Sequence, residues 1–310
     1  MFSILIIYEA ENLEIFTNEL KRSIPELDIQ IWPEVSNPEK IDAVLTWKPP
    51  LGVMNQFPNL KAIISFGVGV EQILRDPSIP ENVPIVRIVE PGLTSRMTEY
   101  ILLAILRFHR QAFEYQRLQQ ERSWQPLPLP ETNTCKIGIL GMGILGKDAA
   151  AKLSYLGFPV RGWSRTPKNI DGIECFHGRE QLKICLSECK ILICLLPLTP
   201  ETKGILNHET FSALPKGSYL INLARGQHLV EKDLLTALDS GQLSGACLDV
   251  FDKEPLPANH PFWLHSQITI TPHVATQTDS EYWTKSIVET INDVRAGVTL
   301  KNVVNRQQGY

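Results

Sequence analysis

Three segments in the last third of the chain carry residue types that suit carboxylate binding and proton transfer. Arg225 lies in Asn222-Leu-Ala-Arg-Gly226, Glu254 closes Leu248-Asp-Val-Phe-Asp-Lys-Glu254, and His273 ends a Thr-Pro-His tripeptide. Arginine presents a planar fork of donors to two oxygens. Histidine can release a proton near neutral pH, and a carboxylate beside it orients the ring and stabilises its charged form. The three together predict a catalytic set suited to reducing a 2-keto acid, with His273 as the proton donor.

A glycine-rich segment precedes these residues, in Gly141-Met-Gly-Ile-Leu-Gly146. An apolar run over 136–140 predicts a strand before it, and 144–156 predicts a helix after it. In that context the first glycine allows a tight turn, the second lets the backbone approach a pyrophosphate, and the third lets helix and strand pack closely. The free N–H groups of the helix start favour phosphate. The segment predicts a dinucleotide site, the alternative being a glycine-rich turn without ligand. Its residues are Gly141, Met142, Gly143, Ile144, Leu145 and Gly146.

The end of the next predicted strand distinguishes the two nicotinamide dinucleotides. A carboxylate there would bind the ribose 2′-hydroxyl of NAD, but the chain reads Ser164-Arg-Thr-Pro-Lys168, with no acid before Asp171. Arg165 and Lys168 can pair with a 2′-phosphate, and the hydroxyls of Ser164 and Thr166 can donate to it. These residues predict NADP(H), with NADPH preferred and NAD accepted at lower efficiency. The alternative is a solvated basic turn.

Short apolar runs alternate with helical patterns along both halves of the chain, which is typical of parallel α/β sheets. We predict an α/β protein of two Rossmann-like or flavodoxin-like domains, with the active site in the interdomain cleft. One domain comprises residues 1–97 with 277–310, because the last helical stretch, 278–296, lies too far along the chain to belong wholly to the second sheet. The other comprises residues 98–276. A long helix over 97–122 and a proline-rich arm, 125–130, separate the two groups of strands.

Composition narrows the possible partners and locations. The 310 residues carry a net charge of -4, so nothing attracts the chain generally to nucleic acid or to an anionic membrane. No apolar stretch approaches the roughly 20 residues that a spanning helix needs. The six cysteines form no Cys-x-x-Cys pair, and we expect reduced core cysteines, no metal site and a cytoplasmic location.

The glycine loop, Asn-Leu-Ala-Arg-Gly, Leu-Asp-Val-Phe-x-x-Glu-Pro and Thr-Pro-His together resemble the D-isomer-specific 2-hydroxyacid dehydrogenase family over nearly the whole chain. The resemblance implies that Arg225 binds the substrate carboxylate and carbonyl, and that His273 is the acid/base with Glu254 as its partner. It also implies cofactor contacts beyond the glycine loop and the basic turn. Those residues are Leu195, Pro197, Thr202, Ala224, Arg225, Asp249, His273 and Ala275.

The resemblance extends to the first domain and to assembly. Phe66-Gly-Val-Gly-Val70 is similar to the family's substrate loop, which implies that the backbone of Gly67, Val68 and Gly69 holds the carboxylate. Trp47 and Trp124 either wall the substrate pocket, Trp124 from a neighbouring subunit, or are packing residues. The helix over 97–122 and the arm resemble the segment through which the family forms dimers, which implies a homodimer.

Three functions therefore stand from the sequence. The first is NADPH-dependent reduction of small 2-keto acids, with glyoxylate and hydroxypyruvate as the substrates that the resemblance implies. The second is an NAD-linked D-2-hydroxyacid dehydrogenase of another substrate, which the absent acid near Ser164 argues against. The third is a dinucleotide-sensing binding protein without catalysis, since fold alone does not separate it from an enzyme.

Overall fold

The computed structural model describes residues 1–8, 13–67, 69–88, 91–276 and 280–306. Its strands are β1 (Ser3–Ile7), β2 (Asp28–Ile31), β3 (Ala43–Thr46), β4 (Ala62–Ser65), β5 (Ile85–Arg87), β6 (Ile137–Leu140), β7 (Val160–Ser164), β8 (Glu174–His177), β9 (Ile191–Cys194), β10 (Ser218–Asn222), β11 (Leu243–Leu248) and β12 (Ile268–Ile270). Its helices are α1 (Leu13–Ser23), α2 (Glu71–Leu74), α3 (Pro91–His109), α4 (Ala112–Gln120), α5 (Ile144–Tyr155), α6 (Leu182–Leu186), α7 (His208–Ser212), α8 (Glu231–Asp239) and α9 (Ser280–Ala296).

The chain divides into two compact units, Met1–Pro91 with Thr278–Tyr310, and Gly92–Gln277. The division falls at the start of α3 and not at residue 97, where the sequence analysis drew it. Met97 and Ile101 explain the difference, since both are buried in a cluster with Ile137 and Ile139 of β6. Residues 92–109 of α3 therefore belong with the second sheet. We call the two parts the first unit and the second unit.

The first unit contains a five-stranded parallel sheet in the order β2-β1-β3-β4-β5. This is the flavodoxin-like order, in which the strand sequence reverses beside β1. Every residue of β1, β3 and β4 is buried, as expected for central strands covered on both faces. Ile287 and Ile291 of α9 pack on the same core as Ile4, Ile6 and Leu45, so the last helix does return to the first unit.

The second unit contains a seven-stranded parallel sheet in the order β12-β11-β10-β9-β6-β7-β8. The first strand of the unit, β6, has β7 on one side and β9 on the other, which is the Rossmann arrangement with its switch point at β6 and β9. The predicted α/β class and the parallel sheets are confirmed. The sequence analysis missed β8, an edge strand whose residues are half-buried or exposed and show no continuous apolar run.

The single helix predicted over 97–122 is wrong, because the structure has two. Gln111 separates α3 from α4 in a left-handed conformation, with φ of 56°. The proline-rich arm that follows has no regular secondary structure and lies mostly exposed. Two hydrogen bonds hold the arm against the helices. The side-chain amide of Gln111 donates to the Pro128 carbonyl at 2.6 Å, and the Leu127 N–H donates to the Tyr115 hydroxyl at 3.0 Å. The arm is therefore ordered against α4.

The described residues contain neither a disulfide nor a helix that could span a membrane. All six cysteines are free thiols, and only Cys175 is not fully buried. Across the part of the chain that the structure describes, no helix is long and apolar enough to cross a membrane. Within the same residues, no cluster of histidine, cysteine and carboxylate side chains has a geometry that holds a metal ion.

Candidate active site

The glycine loop joins β6 to α5 at the switch point of the second sheet. Gly141 has φ of 108°, and a Cβ there would lie 2.7 Å from the carbonyl oxygen of Leu195, so only glycine fits. A Cβ on Gly146 would lie 2.0 Å from the Gly141 carbonyl oxygen, which brings α5 against the loop. A Cβ on Gly143 would meet nothing within 4 Å. The second glycine thus faces open space at the helix start, which is where a pyrophosphate would lie.

The side chains between these glycines differ in what they face. Met142 is buried, and its sulfur packs on Gly162 of β7, where a Cβ would lie 2.6 Å away. Only its backbone is available to a ligand. Ile144 is exposed at the first turn of α5, whereas Leu145 is partly buried against the core.

The end of β7 presents the predicted basic turn to solvent. Arg165, Thr166 and Lys168 are exposed, and Ser164 is buried. The Ser164 hydroxyl donates to the Thr166 carbonyl at 2.8 Å, so its hydrogen shapes the turn. The pKa of the Glu201 carboxyl is lowered, first by a hydrogen bond with Thr199 and also by the charge of Arg165. The loop after β9 therefore approaches the basic turn.

That loop, from Leu195 to Thr202, is fixed by its own hydrogen bonds. The Leu195 N–H donates to the Leu140 carbonyl at 2.8 Å, beside the glycine loop. The Thr202 hydroxyl donates to the Pro197 carbonyl at 2.7 Å and accepts from the Thr199 N–H at 2.8 Å. Leu195 thus lies beside Gly141 at the carboxyl edge of the sheet, and Pro197 and Thr202 follow on the same loop. Thr202 stabilises the conformation of the loop through these hydrogen bonds.

Arg225 follows β10 on a turn that packs tightly on the next segment. A Cβ on Gly226 would lie 1.8 Å from the carbonyl carbon of Phe251, so the Arg225 turn and the Phe251–Asp252 peptide lie in direct backbone contact. Asn222 holds the turn from below: its amide donates to the Arg225 carbonyl at 3.1 Å, and its side-chain oxygen accepts from the Ala224 N–H at 3.3 Å. The side chain of Ala224 is buried in the core, so a ligand can meet its backbone only.

Glu254 and His273 form the predicted pair. The Nδ1 of His273 lies 2.9 Å from Oε2 of Glu254, and the Phe251 N–H donates to Oε1 of the same carboxylate at 3.0 Å. Both side chains are about one-third exposed, 39% for His273 and 31% for Glu254. Because the carboxylate engages Nδ1, the Nε2 of the ring is the nitrogen left to face a substrate.

Asp249, predicted to approach the nicotinamide, is buried and accepts hydrogen bonds from the loop after β12. Its carboxylate accepts hydrogen bonds from the Thr271 hydroxyl at 2.6 Å and from the N–H groups of Val274 and Ala275 at 2.9 Å each. Its carbonyl accepts from the His273 N–H at 2.9 Å. Asp249 therefore holds the segment that carries His273. The Ala275 side chain is buried in the second unit's core.

The first unit holds the other predicted substrate residues. Gly67 follows β4, and a Cβ on it would lie 1.6 Å from Cζ3 of the Trp47 ring, so the indole lies directly on the glycine. The Gly67 N–H donates to the Ser65 hydroxyl at 3.2 Å. Gly69 is partly buried, and Val68 lies outside the described residues. The contact explains why position 67 is glycine and gives Trp47 a packing role.

Trp124 is the last of the predicted substrate residues. Its side chain is fully exposed, at 102% of the reference surface, on the arm after α4. Within the single chain it contributes nothing to packing.

The sequence analysis did not place His228 in the site. It is fully buried, and its Nδ1 accepts from the Arg225 N–H at 3.2 Å. Its Nε2 lies 3.3 Å from the Pro197 carbonyl oxygen, to which it donates in that tautomer. The ring thus ties the arginine turn to the loop after β9. The sequence offered a signal, since His228 follows Arg225 by one helical turn, but contact with Pro197 requires the fold.

The glycine loop lies at the switch point of the second sheet. The segments that carry Arg225, Glu254 and His273 follow strands at the same edge. This arrangement defines a nicotinamide-dependent dehydrogenase fold. The chain belongs to the D-isomer-specific 2-hydroxyacid dehydrogenase family, because the family's profile, described as its NAD binding domain, matches residues 102–275. The glyoxylate/hydroxypyruvate reductase A of Serratia proteamaculans (strain 568) is 43% identical over 99% of this chain and 100% of its own length.

Solved structures agree with this assignment. A D-isomer-specific 2-hydroxyacid dehydrogenase from Xanthobacter autotrophicus Py2, in complex with NADPH and MES, superposes with a TM-score of 0.91 at 37% identity. An NADPH-dependent glyoxylate/hydroxypyruvate reductase from Sinorhizobium meliloti, in complex with NADP and sulfate, superposes with a TM-score of 0.90 at 35% identity. In both cases the match covers 100% of each chain.

Proposed function

We propose that this protein reduces small 2-keto acids with NADPH, converting glyoxylate to glycolate and hydroxypyruvate to glycerate. The observation that carries the proposal is the His273–Glu254 pair, with Nδ1 and Oε2 2.9 Å apart at the edge of a dinucleotide-binding sheet. A binding protein that only sensed a dinucleotide would have no need of an oriented proton donor there. The names of the relatives, glyoxylate/hydroxypyruvate reductase A among them, support the substrate class.

The residues present suit NADP. Open space at Gly143 and the buried packing of Gly141 and Gly146 form a backbone cradle for the pyrophosphate. Arg165 and Lys168 are exposed at the end of β7, and Ser164 stands where a carboxylate would otherwise repel a 2′-phosphate. Structural relatives bound to NADPH or NADP point the same way. Leu195, Pro197, Thr202, Asp249 and Ala275 complete the proposed cofactor environment.

The bound cofactor supplies the hydride. Arg225 binds the substrate carboxylate with its planar fork and polarises the keto oxygen. Glu254 holds the imidazole by Nδ1 and stabilises its positive charge, so that Nε2 carries the proton toward the oxygen that becomes the alkoxide. When that proton is transferred, His273 is left neutral and must be reprotonated from solvent, which its 39% exposure permits.

We extend the proposal to the remaining predicted residues. The backbone of Gly67, Val68 and Gly69 holds the substrate carboxylate, and Trp47 supports that loop. The chain forms a homodimer through α3, α4 and the arm, because Leu103, Leu106, Trp124 and Leu129 are exposed large apolar side chains on these segments. Trp124 then reaches the substrate site of the partner subunit. A cytoplasmic location completes the proposal, since six free cysteines suit a reducing compartment.

One assay tests the proposed reaction. The purified protein is mixed with NADPH and glyoxylate, then hydroxypyruvate, and nicotinamide absorbance is followed, with NADH in parallel. We expect consumption of NADPH with both keto acids and a kcat/KM higher for NADPH than for NADH. A protein that binds NADPH but reduces no 2-keto acid in a broad panel is a sensor. A strong preference for NADH supports the NAD-linked alternative.

A further inference from the structure

A short chain of hydroxyl groups connects α3 to the segment that carries the catalytic histidine. The hydroxyl of Tyr100 lies 2.5 Å from Oγ1 of Thr271, and Oγ1 donates to Oδ1 of Asp249 at 2.6 Å. A threonine hydroxyl has one hydrogen, and the carboxylate takes it. Tyr100 must therefore be the donor to Thr271. Burial raises the pKa of the Tyr100 phenol well above its ordinary value, which keeps that hydrogen in place.

Asp249 in turn accepts hydrogen bonds from the backbone around His273. Three consecutive N–H groups donate to it: those of Val274 and Ala275 to the carboxylate, and that of His273 to its carbonyl, each at 2.9 Å. His273 has φ of 56°, the left-handed conformation that residues with a side chain rarely adopt. Such a conformation persists only where the surroundings determine it. The backbone carbonyl and the carboxylate of Asp249 hold the segment in this conformation, and Thr271 donates to the same carboxylate oxygen as Val274.

We propose that Tyr100 is a positioning residue for the proton donor: through Thr271 it aligns the Asp249 carboxylate, which holds residues 273–275 so that the imidazole meets Glu254. The inference rests on the proposed function for the role of His273. Tyr100 acts without touching the reacting atoms. It acts from α3, a helix that contributes no catalytic residue.

A tyrosine on the sheet of the second unit provides a matched control. Tyr219 of β10 is also a buried tyrosine whose hydroxyl bonds to a threonine of the β12 segment, Thr269. Among the described residues, no hydrogen bond links that pair to Asp249. Tyr219→Phe therefore removes the same chemical group from the same core and leaves the hydroxyl chain intact. A difference between the two variants measures the chain, and not the loss of a buried hydroxyl in general.

The test compares Tyr100→Phe, Thr271→Val and their double variant with Tyr219→Phe. Hydrogen exchange of the Val274 and Ala275 amides is measured without cofactor or substrate. We expect Tyr100→Phe and Thr271→Val to speed exchange by about tenfold, and Tyr219→Phe to leave it unchanged. Because Tyr100 acts through Thr271, the double variant should match Thr271→Val alone.

Kinetics supply the second readout. We expect kcat to fall about tenfold in Tyr100→Phe, while the KM for NADPH changes less than about twofold. Unchanged exchange in Tyr100→Phe, or equal effects of Tyr219→Phe, would overturn the inference. Additive effects in the double variant would also overturn it. If the wild-type protein reduces no keto acid, the proposed function fails, whereas the exchange measurement still decides whether the hydroxyl chain orders this segment.

Discussion

The imidazole of His273 depends on two kinds of contact, one to its ring and one to its backbone. Glu254 holds Nδ1 at 2.9 Å, and the carbonyl of Asp249 accepts the backbone N–H at the same distance. The ring contact decides which nitrogen faces the substrate, and the backbone contact decides where the ring is. A substitution at each point should therefore have a different kinetic signature.

His273→Ala should lower kcat by on the order of 10²–10⁴, because it removes the proton donor. Its Kd for NADPH should stay within about twofold of the wild-type value, since no cofactor-cradling glycine is altered. Glu254→Gln keeps the size of the side chain and loses its charge, so kcat should fall less than in His273→Ala. Stopped-flow turnover and fluorescence titration of NADPH measure the two quantities.

His208→Ala is the matched control, because His208 is an exposed histidine of α7 in the same unit. It should retain wild-type kcat. If His273→Ala is as active as this control, His273 is not the acid.

Arg165→Asp should reverse the cofactor preference from NADPH to NADH. The new carboxylate would repel the 2′-phosphate of NADPH and could accept a hydrogen bond from the 2′-hydroxyl of NADH. The ratio of kcat/KM for the two cofactors measures the effect, with a fall of at least about tenfold expected for NADPH. Lys232→Asp, at an exposed position of α8, changes the net charge by the same amount and should leave this ratio unchanged. An unchanged ratio in Arg165→Asp would place the phosphate elsewhere.

At the residue scale, the sequence supports predictions of which residues act, but it does not reveal most of the contacts between them. Arg225, Glu254 and His273 were predicted from their types and their places after strands, and the structure brings Glu254 and His273 into contact. The support from Tyr100, Thr271 and His228 was not predicted. Those contacts join residues far apart in the chain, so no local pattern reports them.

Glycines show how the elements around the site are fitted together. Gly143 and Gly226 flank the same carboxyl edge, yet a Cβ would meet open space at Gly143 and the Phe251–Asp252 peptide at Gly226. Gly143 leaves room for a ligand, and Gly226 leaves room for the protein's own backbone. The two positions should therefore respond differently to the same added methyl group.

Gly143→Ala should fold with an unchanged Tm and bind NADPH at least about tenfold more weakly, because its methyl group would occupy the pyrophosphate's approach. Gly226→Ala should lower the free energy of unfolding by about 1–3 kcal/mol, since the backbone contact must open. Thermal melts and NADPH titrations on both variants check this. Equal losses of Tm in the two, or full NADPH affinity in Gly143→Ala, would contradict the assignment.

The elements themselves were predictable where burial was continuous. β6 is fully buried and its sequence is an apolar run, so the strand predicted over 136–140 is close to its observed bounds, Ile137–Leu140. The half-buried β8 carried no such signal. The helical pattern over 97–122 continued through the break at Gln111, because periodicity in side chains does not report one residue's left-handed backbone.

Over the whole molecule, each unit has its own hydrophobic cores. The clusters around β1 and β4 contain only first-unit residues, and those around β6 and β10 contain only second-unit residues. Each unit can therefore lose its packing without dismantling the other's core, and multidomain chains of this kind often unfold in more than one step.

Calorimetry should resolve two unfolding transitions, of which NADPH shifts one. At a free concentration of 100 times Kd, NADPH stabilises the unit that binds it by about 2.7 kcal/mol. For a unit of this size the Tm should rise by roughly 5–11 °C. Gly226→Ala identifies the second unit, because it should lower the transition that NADPH raises. A single transition, or equal shifts of both, would contradict independent cores.

Trp124→Ala tests the proposed assembly. Since the side chain is fully exposed in one chain, its removal should leave the fold of each subunit unchanged. If it walls a partner's substrate site, the KM for glyoxylate should rise several-fold at constant Kd for NADPH. Sedimentation should give twice the chain mass of 35.0 kDa. Tyr155→Ala removes another exposed aromatic ring, 92% exposed on α5, and should change neither quantity. A monomer, or an unchanged KM, would exclude a shared site.

The distribution of thiols has a practical consequence. Five of the six cysteines are buried, and the partly buried one, Cys175, lies on β8 beside Gly162 of β7, two residues before Ser164. A maleimide dye added to the unaltered protein should react first at Cys175. The chain thus carries a built-in attachment point for a fluorescent reporter, placed one strand away from the turn that we propose recognises the adenosine phosphate.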